Sequence, residues 1–183
     1  MQYLGHIISA KGASTDPEKI AAMVEWPVPT TIKQLRGFLG LIGYYRRFIK
    51  HYGLISKPLT DLLKKNAFLS SEKSQVAFDT LKNAMVSAPI LALPNFSLLF
   101  IMETDASGIG IGAVLMQQGH PIAYLSKSLA PKHQHLSAYE KEFLAMVLAV
   151  EKWRPYLLGK HFIIKTDHFS LKYLVQQKII TPF

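Results

Sequence analysis

Phe100-Ile101-Met102-Glu103-Thr104-Asp105-Ala106-Ser107-Gly108 is an apolar run that ends in an acid and a turn, and His161-Phe162-Ile163-Ile164-Lys165-Thr166-Asp167-His168 ends the same way. Between them, Glu142 lies in the helical stretch Tyr139-Glu140-Lys141-Glu142-Phe143-Leu144-Ala145. A carboxylate placed where a buried strand emerges costs desolvation free energy unless something neutralises it. A divalent metal ion is one such neutraliser. Asp105, Glu142 and Asp167 are therefore candidate metal ligands and candidate catalytic residues, because in-line cleavage of a phosphodiester suits hard ions held by oxygen donors.

Each acid also has a plainer explanation. Asp105, ahead of Ala106-Ser107-Gly108, suits a turn residue capping backbone amides. Glu142 suits the solvated side of an amphipathic helix, and Asp167 suits pairing with His168 or capping a helix that starts near Ser170. The context weighs against all three together, since an apolar strand ending in Thr-Asp occurs twice with the Glu142 helix between.

Working outward, residues 98–105, 110–118 and 121–127 read as strands joined by turns at Gly108/Gly110 and Gln118-Gly119, an antiparallel meander. Ser137 with Glu140 forms a capping box that opens a helix to about Leu158, closed by Gly159. A fourth strand at 161–167 follows directly, placing the first and fourth strands side by side. A short helix from Ser170 through Val175 comes next. Before Pro89 and Pro94 the period is helical. Asp16-Pro17 starts a short helix, and Thr31 with Gln34 caps one that carries Leu35, Phe38, Leu39, Ile42, Tyr45, Phe48 and Ile49. Further helices are expected at about 54–64 and 72–87. At the start, Tyr3-Leu4-Gly5-His6-Ile7-Ile8-Ser9-Ala10 reads as a strand and turn with nothing before it to pair with, as though the chain began inside a larger fold.

The 183 residues are 49% hydrophobic and 18% charged, enough for a core in one domain or two small ones, and they do not read as disordered. The absence of cysteine removes disulfides, thiolate zinc sites and a cysteine nucleophile. No apolar run reaches the roughly 18 residues of a membrane span, and no signal peptide follows Met1, so a soluble intracellular protein of the cytoplasm or nucleus is expected. Residues 1–65 carry 10 Lys/Arg against 4 Asp/Glu, most of the formal net charge of +9. Such an excess points to a polyanion, most often nucleic acid. Within it Arg36, Gly40, Gly43, Arg47 and Lys50 recur at intervals of three and four, a basic, glycine-punctuated helix face suited to a sugar-phosphate backbone. Tight helix packing through Gly37, Gly40 and Gly43 is the other reading of the same pattern. His133-Gln134-His135 reads as a polar connector on a loop after Pro131.

The stretches Glu103-Thr104-Asp105-Ala106-Ser107, Tyr139-Glu140-Lys141-Glu142-Phe143-Leu144-Ala145 and Lys165-Thr166-Asp167-His168 resemble the ribonuclease H domain of gypsy-type retrotransposon polyproteins. Upstream, Tyr3-Leu4-Gly5-His6, the run from Phe38-Leu39-Gly40 through Tyr45-Arg46-Arg47-Phe48-Ile49, and Ala88-Pro89-Ile90-Leu91 resemble the palm end, thumb and connection of the same elements' reverse transcriptase. The resemblance implies an α+β fold: a palm remnant at 1–10, a helical thumb/connection at 11–88, and a truncated RNase H-like mixed sheet with flanking helices at 89–183. It implies that Asp105, Glu142 and Asp167 are three of four metal-binding carboxylates, with Glu140 as a competitor for the second place, and that two Mg²⁺ ions serve as cofactors. It implies as partners an RNA–DNA hybrid or template–primer duplex, gripped by the Arg36–Lys50 helix, and the remainder of a Pol polyprotein.

Several departures bear on activity. Residues 168–183 hold no Asp or Glu to supply a fourth carboxylate, and the family's fifth strand and closing helix have no counterpart. There is no adjacent Asp-Asp pair, so the polymerase motif is missing. Ser70 stands where relatives commonly have Trp and Leu99 where they commonly have Pro. The expectation is a chain descended from a hybrid-cleaving nuclease, the alternative a catalytically inactive nucleic-acid-binding remnant.

Overall fold

The computed structural model describes residues 1–166. Asp167 and the helix expected from Ser170 lie outside the described residues.

The chain opens with a three-stranded antiparallel sheet of β1 (Gln2–Tyr3), β2 (His6–Ser9) and β3 (Gly12–Thr15). The stretch expected as one strand and turn over residues 3–10 lies in two strands paired with each other, and a third strand follows within the segment expected as the helical thumb/connection. β2 is paired on both sides, and Gly12-Ala13-Ser14-Thr15 is too small and polar to show a strand's apolar alternation. The β1–β2 turn needs positive φ at Leu4 and Gly5, 47° and 75°. Gly5 has a second constraint: a Cβ there would lie 2.5 Å from the Tyr45 hydroxyl, which donates to the Gly5 carbonyl at 3.1 Å.

Asp16 caps α1 (Pro17–Val24) by accepting from the Glu18 amide. The Thr31–Gln34 capping box opens α2 (Ile32–Tyr44), which stops five residues short of Ile49. A 3-10 turn at Arg46–Phe48 takes over, and its spacing still buries Tyr45, Phe48 and Ile49 although the helix expected there has ended. The single helix expected at 54–64 is two short ones, α3 (Tyr52–Ile55) and α4 (Lys57–Asp61), with Pro58 in the first turn of the second. A capping box of Ser71 and Ser74 opens α5 (Glu72–Val86). Phe38, Phe78, Leu35, Ile42, Leu81 and Met85 fill the helical core, with the Phe38 and Phe78 rings 4.5 Å apart.

The second layer is a mixed sheet ordered β6-β5-β4-β7, from β4 (Phe100–Ala106), β5 (Gly110–Gln117), β6 (His120–Ser128) and β7 (Phe162–Thr166). β4, β5 and β6 form the expected meander, and β7 runs parallel to β4. A parallel neighbour needs a crossover. It is supplied by α6 (Pro131–Gln134), which occupies the stretch expected as a loop, and α7 (Ala138–Leu157). α7 opens with the Ser137–Glu140 capping box and bends at Trp153, whose φ and ψ are −104° and 15°, because Pro155 cannot donate to a carbonyl one turn back. Its buried Ala149, Trp153 and Leu157 pack on Phe100, Met102 and Leu115.

The helical layer clamps the outer edge of β6. The Gly53 amide donates to Ser126 Oγ at 3.0 Å, and the Arg47 guanidinium donates to the Ile122 carbonyl at 3.3 Å. A Cβ at Gly53 would sit 2.8 Å from the Ser126 carbonyl oxygen, so this close approach requires glycine. No helix among the described residues is long and apolar enough to cross a membrane.

Candidate active site

Alternation along β4 divides its side chains between two faces. Phe100, Met102 and Thr104 are buried, whereas Ile101, Glu103 and Asp105 point to the other face, with Asp105 exposed. In α7, Glu142 is one turn inside the capping box. That places it on the stripe facing the sheet, and only 6% of it is exposed. Its Oε1 accepts from the backbone amide of Ala106 at 2.8 Å, and its Oε2 lies 3.4 Å from the Thr166 hydroxyl, which donates to it. The buried carboxylate is therefore fixed between the residue after Asp105 and the residue before Asp167.

The register explains this convergence. β4 and β7 pair in parallel from Phe100 opposite Phe162 to Thr104 opposite Thr166, so both strands deliver their ends to one edge of the sheet. Glu140, the competing acid, has another job: its Oε2 accepts from the Ser137 amide at 2.7 Å and the Ser137 hydroxyl at 2.8 Å. Those two hydrogen bonds hold its pKa below the ordinary carboxylate value. Thr104 Oγ1, buried beside this edge, has no hydrogen-bond partner among the described residues.

Asp105 opens into a cavity of about 420 Å³. Its cross-strand partner is Gly112, and Lys50, His51, Glu103, Tyr124, Lys165 and Thr166 share the lining. Lys165 pairs with Glu103 at 3.2 Å, a contact set by their parallel register. His51 holds a left-handed backbone with φ of 59°, uncommon for a non-glycine residue and the kind of outlier that gathers at functional sites. Neither His51 nor Lys165 stands out in the sequence, because their relation to Asp105 is made by the fold.

The five residues expected on one basic helix face are divided. Arg36, Gly40 and Gly43 lie on α2, with Arg36 and Gly40 exposed and open space beside Gly40. Arg47 and Lys50 fall beyond the end of α2: Arg47 reaches β6 and Lys50 reaches the Asp105 cavity. Among the described residues no group of three or more His, Cys, Asp or Glu is placed to hold a metal ion. Two hard carboxylate donors of the expected three are present at this edge, and Asp167 lies outside the described residues. The donor chemistry fits an oxygen-seeking divalent ion.

Residues 71–164 match the RNase H-like domain found in reverse transcriptase. The chain is 45% identical over 174 residues to the retrovirus-related Pol polyprotein from transposon 297 of Drosophila melanogaster, an alignment covering 94% of this chain and 16% of that protein. It is 40% identical over 192 residues to the Pol polyprotein from transposon gypsy of the same organism, covering 97% and 19%. The chain thus spans less than a fifth of the length of these relatives. In structure it resembles the foamy viral protease-reverse transcriptase in complex with dsDNA, with a TM-score of 0.85 at 22% identity over 98% of this chain and 39% of that one. The same viral protein in complex with an RNA/DNA hybrid gives a TM-score of 0.84 at 21% identity over 95% and 24%. The matched domain, the Pol relatives and the shared fold agree: this chain belongs to the family of RNase H-like domains found in reverse transcriptase.

Proposed function

We propose that the sheet layer, within residues 89–183, hydrolyses the RNA strand of RNA–DNA hybrids, with Asp105, Glu142 and Asp167 as the catalytic carboxylates. The observation that carries this reading is the seating of Glu142 on the amide next to Asp105, which brings two sequence-distant acids to one sheet edge. Two Mg²⁺ ions held by these carboxylates would supply an activated water and charge stabilisation for the leaving 3′ oxygen. The chain's own part is orientation. The Ala106 amide and the Thr166 hydroxyl fix both oxygens of Glu142 in a dry setting, so the carboxylate is preorganised. Asp105 faces the open cavity, where a scissile phosphate has access, and Lys50 there offers it a positive charge. Hydrolysis adds water to phosphorus, breaks the P–O3′ bond and leaves a 5′-phosphate and a 3′-hydroxyl.

Residues 1–10 and 11–88 are read as the end of a palm and a thumb/connection. Arg36, Gly40, Gly43, Arg47 and Lys50 would contact the duplex backbone by charge, without reading sequence. The positive excess in residues 1–65 favours a second reading, a nucleic-acid-binding module without hydrolysis. Incubating the purified chain with a labelled hybrid and Mg²⁺ separates the two. Cleavage that falls more than roughly a hundredfold in Asp105→Asn supports the nuclease, since even groups that only orient a metal ligand are worth about 10–100-fold. Salt-sensitive binding with no cleavage in either protein supports the second reading.

A further inference from the structure

The turn between β4 and β5 carries the residues that follow Asp105, and the helical layer meets it at Gly110. Ser107, Gly108 and Ile109 are exposed, whereas Gly110 is buried. Leu54 of α3 covers it: a Cβ at Gly110 would overlap Leu54 Cδ2 and lie 3.0 Å from its Cγ. The leucine is delivered there by its neighbour. Gly53 lies so close to β6 that a Cβ would sit 2.9 Å from the Lys127 amide nitrogen, and its own amide donates to Ser126 Oγ at 3.0 Å. In the β5–β6 register Gly112 is opposite Ser126 and Gly110 opposite Ser128, so the residue after Gly53 reaches the start of β5.

From Gly110 the contact runs through the backbone to the carboxylate edge. The Gly110 carbonyl accepts from the Ser107 amide at 2.8 Å and from the Ser107 hydroxyl at 3.1 Å, and Ser107 Oγ accepts from the Gly110 amide at 3.1 Å. Ser107 is one residue past Ala106, whose amide donates to Glu142 Oε1 at 2.8 Å. Opposite Ala106 lies Ile111, buried with Leu129 and Ala145. A tight turn closed by three hydrogen bonds moves as a unit, because close-packed interiors transmit strain instead of absorbing it. A shift at Gly110 is therefore carried to the amide that seats Glu142. The far side of Leu54 lines a shallow groove with Ile55, Pro58 and Val76, and the side chain is half-buried. Shortening it empties little of the helical core.

We propose that Leu54 is a positioning residue for the carboxylate edge, a role that rests on the nuclease reading of that edge: by filling the space over Gly110 it sets the β4–β5 turn, and through Ser107 it sets the Ala106 amide and the carboxylate of Glu142. It acts by packing, so hybrid binding does not depend on it. The helical layer thereby holds the site in register from outside the sheet.

The test uses the whole chain and begins without metal, with its backbone amide resonances. In Leu54→Ala the Ala106 and Glu142 resonances shift and the Ala106 amide exchanges faster with solvent, whereas Leu54→Met, close in volume, keeps the parental spectrum. Gly110→Ala, whose added methyl group meets the leucine, moves the same two resonances. Leu54→Ala/Gly110→Ala returns them toward the parent, because the shortened side chain makes room. The control Leu62→Ala shortens a half-buried leucine that packs on the helical core instead; it lowers stability and leaves both resonances in place. With Mg²⁺ and a labelled hybrid, Leu54→Ala lowers kcat about tenfold, the lower end of what groups that orient a metal ligand contribute, with KM for the hybrid unchanged. Parental resonances in Leu54→Ala, equal shifts in Leu62→Ala, or shifts that add in the double variant would each overturn the proposal. If Leu54→Ala does not fold, Gly110→Ala decides, and unmoved Ala106 and Glu142 resonances there overturn it as well. Absence of cleavage by the unsubstituted chain overturns the nuclease reading, whereas the metal-free spectra judge Leu54 independently of it.

Discussion

The two layers bury different chemistry. The helical layer closes on Phe38, Phe78, Tyr45, Phe48 and their aliphatic neighbours, and the carboxylate buried at its margin, Asp16 at 3% exposure, caps α1. The sheet layer has a comparable apolar centre at Phe100, Met102, Leu115 and Trp153, yet one edge of it buries the carboxylate of Glu142 and leaves the Thr104 hydroxyl without a partner among the described residues. A buried charge and an unsatisfied hydroxyl both work against stability. Buried polar groups occur in both layers, Asp16, His6 Nδ1 and Thr15 Oγ1 near the chain's start among them; what distinguishes the ends of β4 and β7 is that the buried Glu142 is held there on the amide that follows Asp105, which opens into a cavity.

Four substitutions can break or sharpen that contrast. Phe38→Ala empties the centre of the helical layer and costs about 3–5 kcal/mol, read as a lower midpoint in chemical denaturation. A loss under about 1 kcal/mol would mean that this core is not packed as described. Thr104→Val keeps the shape of the side chain while removing the unsatisfied hydroxyl, and raises stability by about 1–3 kcal/mol in the same experiment. If stability falls instead, the hydroxyl has a partner in solution and the contrast weakens. Ser137→Ala removes the cap that starts α7 and costs ~1 kcal/mol; a structural change confined to the first turn should show as faster amide exchange at Glu140 and Lys141.

The smallest effect concerns His6, set among Tyr44, Tyr45 and Phe48 with ring centroids 5.3–5.5 Å away. Burial, and then the charge of Arg47, push its pKa below the ordinary 6.5. The fold therefore prefers the neutral ring, and below 6.5 the unfolded chain holds more protons than the folded one. His6 contributes stability that is complete above that value and is lost as the pH falls from it through the lowered folded value. The thermal midpoint should decline on the acid side, and His6→Phe should flatten that decline. An unchanged profile would show that the ring stays wet.

Much of the fold is legible in the sequence because its signals are local. Capping boxes at Thr31 and Ser137, and the Gln118-Gly119 turn with φ of 50° and 78°, mark where elements begin and end. What was illegible depends on contacts between distant elements. Helical spacing through Ile49 looks like one helix, but its last apolar residues are buried by a 3-10 turn that docks on β6. Gly12-Ala13-Ser14-Thr15 becomes a strand by pairing with His6–Ser9, and Ala13 bridges to Leu91, far along the chain. The acids show the same division. That Asp105 and Glu142 belong to one edge follows from the strand–helix–strand order. That one is exposed and the other buried follows only from the pleat of β4 and the seating of α7.

The central claim is that Asp105 and Glu142 act together at the end of β4. Paramagnetic broadening of backbone amide resonances by Mn²⁺ tests it most directly, since Mn²⁺ takes the same oxygen ligands as Mg²⁺. The account predicts that Asp105, Ala106 and Glu142 broaden first as Mn²⁺ is titrated, and that Asp105→Asn abolishes the effect at low concentration. Broadening that spares these residues, or that survives Asp105→Asn unchanged, would contradict it.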